Sequence, residues 1–276
     1  SFSTPTKQQQ RGTKLEGNWS TKDHPPAEAV LDLSGIVEKL NPRGHSRYAV
    51  FLRNVLTPKE CQELIERSEH EGYQQALLNV GGGKQIMAAD VRNSDRCLIN
   101  DTSFADLVFN RILDSLKVHS HLKDPLMDWN LRGRQFAVGC NELFRYLRYD
   151  PGHYFLPHTD GSFQRGIDAG PERMGESSKI TAMIYLNEGF QGGETRFVDE
   201  RSSNNGFKVV PETGSVLLFQ HDVFHEGCLL EQGRKYAIRT DIMYTRSAVE
   251  EIQPMIMDDD EEPNRDYYQG LAKALF

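Results

Sequence analysis

Along this chain the hydrophobic pattern changes period once, and that change divides it. Residues 1–30 (SFSTPTKQQQRGTKLEGNWSTKDHPPAEAV) are polar and nearly free of apolar periodicity, which predicts a disordered or loosely attached arm. An ordered domain is expected over 31–246. Its first clear element is the strand-like run Tyr48 to Leu52, followed by a helix start at Thr57, where an N-cap threonine, Pro58 at the first helical position and Glu60 spell a capping box. Leu64 and Ile65 would be the buried side of that helix. A second helix is predicted from Thr102 to Lys117, capped by Asp101, with Phe104, Leu107, Val108, Ile112 and Leu116 on one face.

From Arg134 onward the period shortens to that of strands. LFRYLRYD, KITAMIYLN, GGETRFVD, FKVVPETGSVLLFQ and RKYAIRTDIMYT are rich in β-branched and aromatic residues and bounded by turn formers. Short strands after a helical opening predict a mainly β domain with supporting α-helices, its strands in an antiparallel sandwich or barrel. Residues 161–179 (GSFQRGIDAGPERMGESSK) form a long polar insertion, read as a lid. The tail, 247–276, carries an acidic run from Asp258 to Glu262, read as a solvated linker, and ends in a short helical pattern, DYYQGLAKALF.

Composition narrows the function classes. The net charge of −8 and the lack of a basic stripe argue against nucleic acid as a partner. No apolar run reaches the ~20 residues of a membrane span, and no signal-peptide pattern opens the sequence, so a cytoplasmic or nuclear protein is expected. Cys61, Cys97, Cys140 and Cys228 are far apart, which suggests neither a zinc site nor a disulfide framework. Nothing in the pattern speaks to oligomeric state.

The chemistry concentrates in YFLPHTDGSF and FQHDVFHEG. His158 and Asp160 share parity, so in extended structure both leave the same face of the chain. His225 follows the apolar strand Val216 to Phe219, and two histidines with one carboxylate match a facial triad for non-haem iron with open positions. His221 competes with His225 for the third place; four residues of strand separate them by ~13 Å, so only one can serve. Lys235, ten residues beyond His225, would project a cation into the barrel interior. A buried cation needs an anionic partner, and none stands nearby in the sequence, which points to a ligand carboxylate.

Taken together, YLRYDPGHYFLPHTD, TAMIYLNEGFQGGETRF, VPETGSVLLFQHDVFHEG and GRKYAIRTDIMY resemble the catalytic domain of the prolyl 4-hydroxylase-like branch of the 2-oxoglutarate- and Fe(II)-dependent dioxygenases. The similarity extends from about Val50 to Tyr244 and is most specific over 146–244. The resemblance implies a double-stranded β-helix (jelly-roll, cupin-like) core with His158, Asp160 and His225 on iron. It also implies 2-oxoglutarate as cosubstrate, its distal carboxylate gripped by Lys235 with help from the Tyr185 hydroxyl, and ascorbate as an optional addition. Arg239, on the same strand face as Lys235, is the second candidate for contact with the cosubstrate. The implied activity is hydroxylation of an unactivated C–H bond, first of all in a prolyl residue of a protein. A polar side chain, a small molecule, or a non-catalytic binding scaffold on the same fold are the alternatives. The presence of Asp160 favours hydroxylation, since related halogenases carry a small residue there.

Departures from the family pattern fall on the substrate side. A tyrosine commonly precedes the first iron ligand by three positions, where this chain has Phe155, and a tryptophan commonly follows the lysine by six, where it has Asp241. Asp241 and Arg239 would then contact a polar substrate or bridge one another. The stretch DVRNSDRC resembles the strand that borders the peptide groove, making Arg92 and Asn93 candidate substrate contacts beside Tyr149 and Asp241. Asn141, Glu142 and Arg145 form either a polar network or a solvated face.

Overall fold

In the computed structural model the described residues are 30–42, 46–79, 85–129 and 134–246. The predicted arm and acidic tail therefore lie outside the described residues, save Val30, which opens a short strand, Val30–Asp32, rather than closing the arm.

Eight strands make the core: β1 (Leu143–Tyr149), β2 (Tyr154–His158), β3 (Ser177–Tyr185), β4 (Thr195–Asp199), β5 (Ser202–Val209), β6 (Val216–Gln220), β7 (His225–Gly227) and β8 (Lys235–Thr245). They fall into two antiparallel sheets, ordered β6-β3-β8-β1 and β5-β4-β7-β2. The chain passes from one sheet to the other between β1 and β2, β2 and β3, β3 and β4, β5 and β6, β6 and β7, and β7 and β8. That winding is a double-stranded β-helix. Strands Ala49–Leu52 and Val30–Asp32 extend the first sheet beyond β6, and Asp95–Asn100 with Gln74–Gln75 extend it beyond β1. Arg92–Asn93 adds an edge to the second sheet beside β2.

Among the described residues four α-helices accompany the sheets: α1 (Ser34–Leu40), α2 (Pro58–Glu71), α3 (Thr102–Leu116) and α4 (Ser120–Met127). The start of α2 carries the predicted capping box, with Thr57 Oγ1 accepting from the Glu60 amide and the Glu60 carboxylate accepting from the Thr57 amide. Asp101 caps α3 by accepting from the Phe104 amide at 3.0 Å. Neither α1 nor α4 has a counterpart in the predicted elements. α4 is short and carries Pro125, which masks its helical signal.

The first sheet is buried on both faces, so its strands read as near-continuous apolar runs. Alternate residues Ile180, Ala182 and Ile184 of β3, with Ile238 and Ile242 of β8, pack against Phe104, Val108, Ile112 and Leu116 of α3. Each of those α3 side chains is fully buried and contributes on the order of 1.5–3 kcal/mol. The opposite parity, including Tyr185 of β3 and Ala237 of β8, turns inward between the two sheets with Phe197, Leu217 and Phe219. The helices thus back the first sheet, and polar side chains that share the inward parity are left to line the barrel.

The insertion after Asp160 is not an open loop. Arg165 and Glu176 pair through their backbones, the Ser178 amide reaches Phe163 O at 2.8 Å, and the Arg165 guanidinium clasps Glu142 and Glu176. Residues 163–178 therefore fold as a pinned hairpin leading into β3. None of residues 161–179 lines the central cavity, which corrects the lid reading.

Candidate metal centre and its cavity

His158 closes β2, and Asp160 lies two residues beyond it, held past the strand end by its amide bonding His221 O at 2.7 Å. His225 opens β7, which pairs with β2 so that His158 and His225 are direct cross-strand partners. Their rings lie 4.3 Å apart between centroids, and one donor atom each from His158, Asp160 and His225 falls within 4.8 Å of the others. The Asp160 carboxylate faces both imidazoles, at 3.9 Å from His158 Nε2 and 3.8 Å from His225 Nε2.

The remaining ring nitrogens orient this set. His158 Nδ1 donates to Leu156 O at 2.8 Å, and His225 Nδ1 donates to Val223 O at 2.9 Å. Each Nε2 is therefore the lone-pair nitrogen turned to the centre. Burial, and for His158 also the neighbouring His225, favours neutral rings; the His158 pKa is pushed down to about 3, and that of His225 is lowered too. Burial alone would raise the Asp160 carboxyl, but Arg239 and the surrounding histidines hold it well below the usual carboxylate range. At neutral pH the centre offers two neutral imidazoles and one carboxylate, a donor set that fits a divalent iron ion with positions left open.

His221 does not join them. Thr181 Oγ1 donates to Asp160 Oδ2 at 2.6 Å and accepts from His221 Nδ1 at 2.9 Å, while His221 Nε2 meets Ser178 Oγ at 2.8 Å. His221 thus orients Thr181, which in turn fixes one carboxylate oxygen of Asp160. Thr181 is absent from the residues singled out in the sequence, although a lone hydroxyl at inward parity in KITAMIYLN was a usable signal.

The cavity beside the triad encloses about 570 Å³ of space not filled by atoms, its mouth included. A β-bulge between Phe155 and His158 breaks the parity of β2, so that both side chains reach the cavity and their rings stack at 3.6 Å. At one end lies Lys235, the cross-strand partner of Tyr149. The residue is 4% exposed, and its ammonium donates to Gly193 O at 2.5 Å and sits 5.2 Å and 5.5 Å from the Tyr149 and Tyr185 ring centroids. Among the described residues no carboxylate lies within ion-pairing distance of it. Burial lowers its pKa to about 8. Gly193, at φ +69°, makes this cradle possible: a Cβ there would lie 2.9 Å from Leu230 Cδ1 and 3.4 Å from Lys235 Cδ. The Tyr185 hydroxyl shares a 2.7 Å hydrogen bond with Thr195, which lines the cavity.

Four of the candidate residues stand elsewhere than their spacing along the chain suggests. Arg239 is four residues from Lys235 on β8, ~13 Å along the strand, and its guanidinium lies 3.3 Å from Asp160 Oδ1 and 3.0 Å from Asp241 Oδ1. It braces the triad carboxylate instead of joining the Lys235 end. Asp241 is 1% exposed and bridges Arg239 to Arg145, 3.3 Å away, so the bridge alternative describes it and substrate contact does not. Tyr149, expected among the substrate contacts, stands at the Lys235 end. Asn93 does not line the cavity, because neighbouring strand residues face opposite ways and Arg92 takes the inward position. Arg145 lines the cavity on the inner face of β1 with Leu147 and Tyr149, while Glu142 holds Arg165 and serves the hairpin.

Residues 144–240 match the model of the 2OG-Fe(II) oxygenase superfamily. Over that segment the chain is similar to that superfamily. The matched segment runs from β1 into β8 and contains the triad and Lys235. Among curated proteins, this chain is 24% identical to Prolyl 4-hydroxylase 1 of Arabidopsis thaliana over 205 residues, 68% of this chain and 66% of that protein. It is 24% identical to Prolyl 4-hydroxylase 2 of the same plant over 215 residues, 68% of this chain and 64% of that protein. The chain thus spans just under two thirds of the length of these relatives. Among solved structures, a prolyl hydroxylase from Trichoplax adhaerens in complex with a hypoxia inducible factor oxygen degradation domain peptide fragment aligns with TM-score 0.48 and 18% identity, covering 75% of this chain and 86% of that one.

Proposed function

We propose that this chain is an oxygenase that hydroxylates an unactivated C–H bond using Fe(II) and 2-oxoglutarate, and that its target is a prolyl-type ring in a polypeptide. One observation carries the reading: a buried lysine without a carboxylate partner shares a single cavity with a His-Asp-His set whose protonation suits a metal. A structural scaffold has no use for either feature, since an unpaired interior ammonium and three converging donors both cost stability. The curated relatives named as prolyl 4-hydroxylases favour the ring target. An open depression lined by Tyr154, Leu156, Arg196 and Lys208 adjoins the cavity through Phe155, Glu226 and Gly227, and would accommodate the flanks of a polypeptide. No helix among the described residues is long and apolar enough to cross a membrane, and the four free cysteines are in keeping with a reducing compartment such as cytoplasm or nucleus.

With iron and 2-oxoglutarate bound, the site would have the oxidising chemistry that inserts one atom of dioxygen into a C–H bond while the cosubstrate becomes succinate and carbon dioxide. The chain's own part is placement. His158, Asp160 and His225 would hold the metal, and Lys235 would take the distal carboxylate of the cosubstrate. Thr181 and Arg239 keep Asp160 ionised and fixed. Phe155, Leu147, Met183 and Ala237 wall the cavity with apolar surface that excludes water. The test is to load the full chain with Fe(II), supply 2-oxoglutarate, dioxygen and proline-containing peptides, and measure succinate together with a gain of one oxygen atom in peptide mass. A preparation with a full metal complement that produces neither would defeat the proposal.

A further inference from the structure

Arginine, rather than an aromatic platform, dominates the part of the cavity facing away from Lys235. Arg145 and Arg239 are direct cross-strand partners on β1 and β8, and both line the cavity. Like charges placed directly opposite repel. Asp241 lies beneath them and meets Arg145 at 3.3 Å and Arg239 at 3.0 Å, while Arg239 also reaches Asp160. A third guanidinium, Arg92, enters from the edge strand opposite Phe155. It lies 4.7 Å from the Phe155 ring centroid and donates from Nε to Ser94 Oγ at 3.1 Å. Among the described residues no carboxylate is within ion-pairing distance of Arg92. Burial, with Arg239 and Arg145 adding to it, pulls its pKa below the ordinary arginine value.

We propose that the substrate carries a carboxylate close to the carbon that is attacked, and that Arg92 and Arg145 recognise it. This rests on the iron and 2-oxoglutarate reading. Charge accounting favours it. Arg92, Arg145, Arg239 and Lys235 bring four positive charges and a ferrous ion would bring two more, against one each from Asp160 and Asp241 and two from 2-oxoglutarate. Glu226, also at the wall, is matched by Arg196 at 2.6 Å. Two positive charges are left over among half-buried guanidinium groups, where an unbalanced charge is costly. A substrate anion removes that imbalance, and guanidinium groups fit a carboxylate through paired N–H donors. The carboxylate has two sources, an acidic residue next to the target in a peptide or a free carboxylic acid.

The experiment follows the absorption of the iron–2-oxoglutarate chelate in the full chain without oxygen and at saturating 2-oxoglutarate. Two matched pairs of probes are titrated in: N-acetylproline against N-acetylprolinamide, and a capped peptide with aspartyl-proline against the same peptide with asparaginyl-proline. The charged member of at least one pair should perturb the chelate at a concentration at least about tenfold lower than its neutral partner. A preference in the first pair assigns a free acid, and one in the second assigns an acidic peptide. In Arg92→Gln and Arg145→Gln the preference should fall to roughly threefold or less, with 2-oxoglutarate affinity within about twofold of the parent. The glutamine at 145 can still donate to Asp241, and position 92 lies on a short edge strand, so at least one variant should fold. If neither pair prefers its charged member, including the case in which no probe binds, the proposal is overturned; it is also overturned if the preference survives in both variants. A parent chain that forms no chelate before any probe is added fails at the oxygenase reading itself, an outcome distinct from the others.

Discussion

Replacing Lys235 with alanine gives the sharpest test of how the cavity binds 2-oxoglutarate. An ammonium has three N–H donors, and Gly193 O takes one at 2.5 Å. The other two have no carboxylate partner among the described residues, in a place that water scarcely reaches. One charge-assisted hydrogen bond there is worth on the order of 1.5–3 kcal/mol. At about 1.4 kcal/mol per factor of ten, Lys235→Ala should weaken 2-oxoglutarate binding by roughly ten- to a hundredfold and leave iron affinity nearly unchanged. The same cavity predicts a pH dependence. Burial lowers the Lys235 pKa from 10.5 to about 8, so the free site loses its positive charge as pH rises through that value. The carboxylate binds the ammonium form, so affinity should be flat below it and fall by about tenfold for each pH unit above it, until the bound-state pKa is reached. Anaerobic titration of the metal-loaded protein with 2-oxoglutarate, following the chelate absorption across pH, measures both effects. A Lys235→Ala variant that binds as tightly as the parent would refute the reasoning. If Arg239→Ala were then the weakened one, the anchor would have to be Arg239 despite its contacts with Asp160 and Asp241.

Three further substitutions test the contacts around the site and the helices. Thr181→Val removes the hydroxyl that holds Asp160 Oδ2 and takes the partner of His221 Nδ1; metal affinity, measured by competition with a chelator, should drop by roughly ten- to a hundredfold while the fold persists. Arg165→Ala takes from Glu142 and Glu176 the more buried of the two guanidinium groups they share and leaves them the half-exposed Arg173, so stability to urea should fall by about 2–3 kcal/mol and residues 163–178 should become sensitive to protease. Because that hairpin lies off the cavity, added 2-oxoglutarate should leave cleavage of the parent unchanged, and strong protection would restore the lid reading. Thr57→Ala, which breaks the capping box of α2, should cost about 0.5–2 kcal/mol in the same denaturation assay without altering 2-oxoglutarate binding.

The features legible in the sequence are those set by neighbours along the chain. The capping box at Thr57, the cap at Asp101 and the inward pairing of His158 with Asp160 depend on local spacing, and the structure keeps all of them. KITAMIYLN and RKYAIRTDIMYT likewise carry one apolar face for the helices, in Ile180, Ala182, Ile184, Ile238 and Ile242, while the alternate positions mix apolar with polar side chains such as Thr181, Lys235 and Arg239. Which of His221 and His225 reaches the centre was not a local matter. The pairing of β2 with β7 puts His225 opposite His158, while His221 meets Thr181 from another strand. Tertiary structure alone decided the polar lining as well. Register sets Arg145 against Arg239 and brings Asp241 under both, and a single residue of slip would have sent each to the other face. The bulge that turns Phe155 into the cavity breaks the period on which sequence reading relies. The hairpin after Asp160 reads as a loop because its composition is polar, yet Arg165 folds it through Glu142, a residue 23 positions away. A contact of that separation has no local pattern to announce it: sequence spacing determined the ligands on each strand, and cross-strand register determined the company they keep.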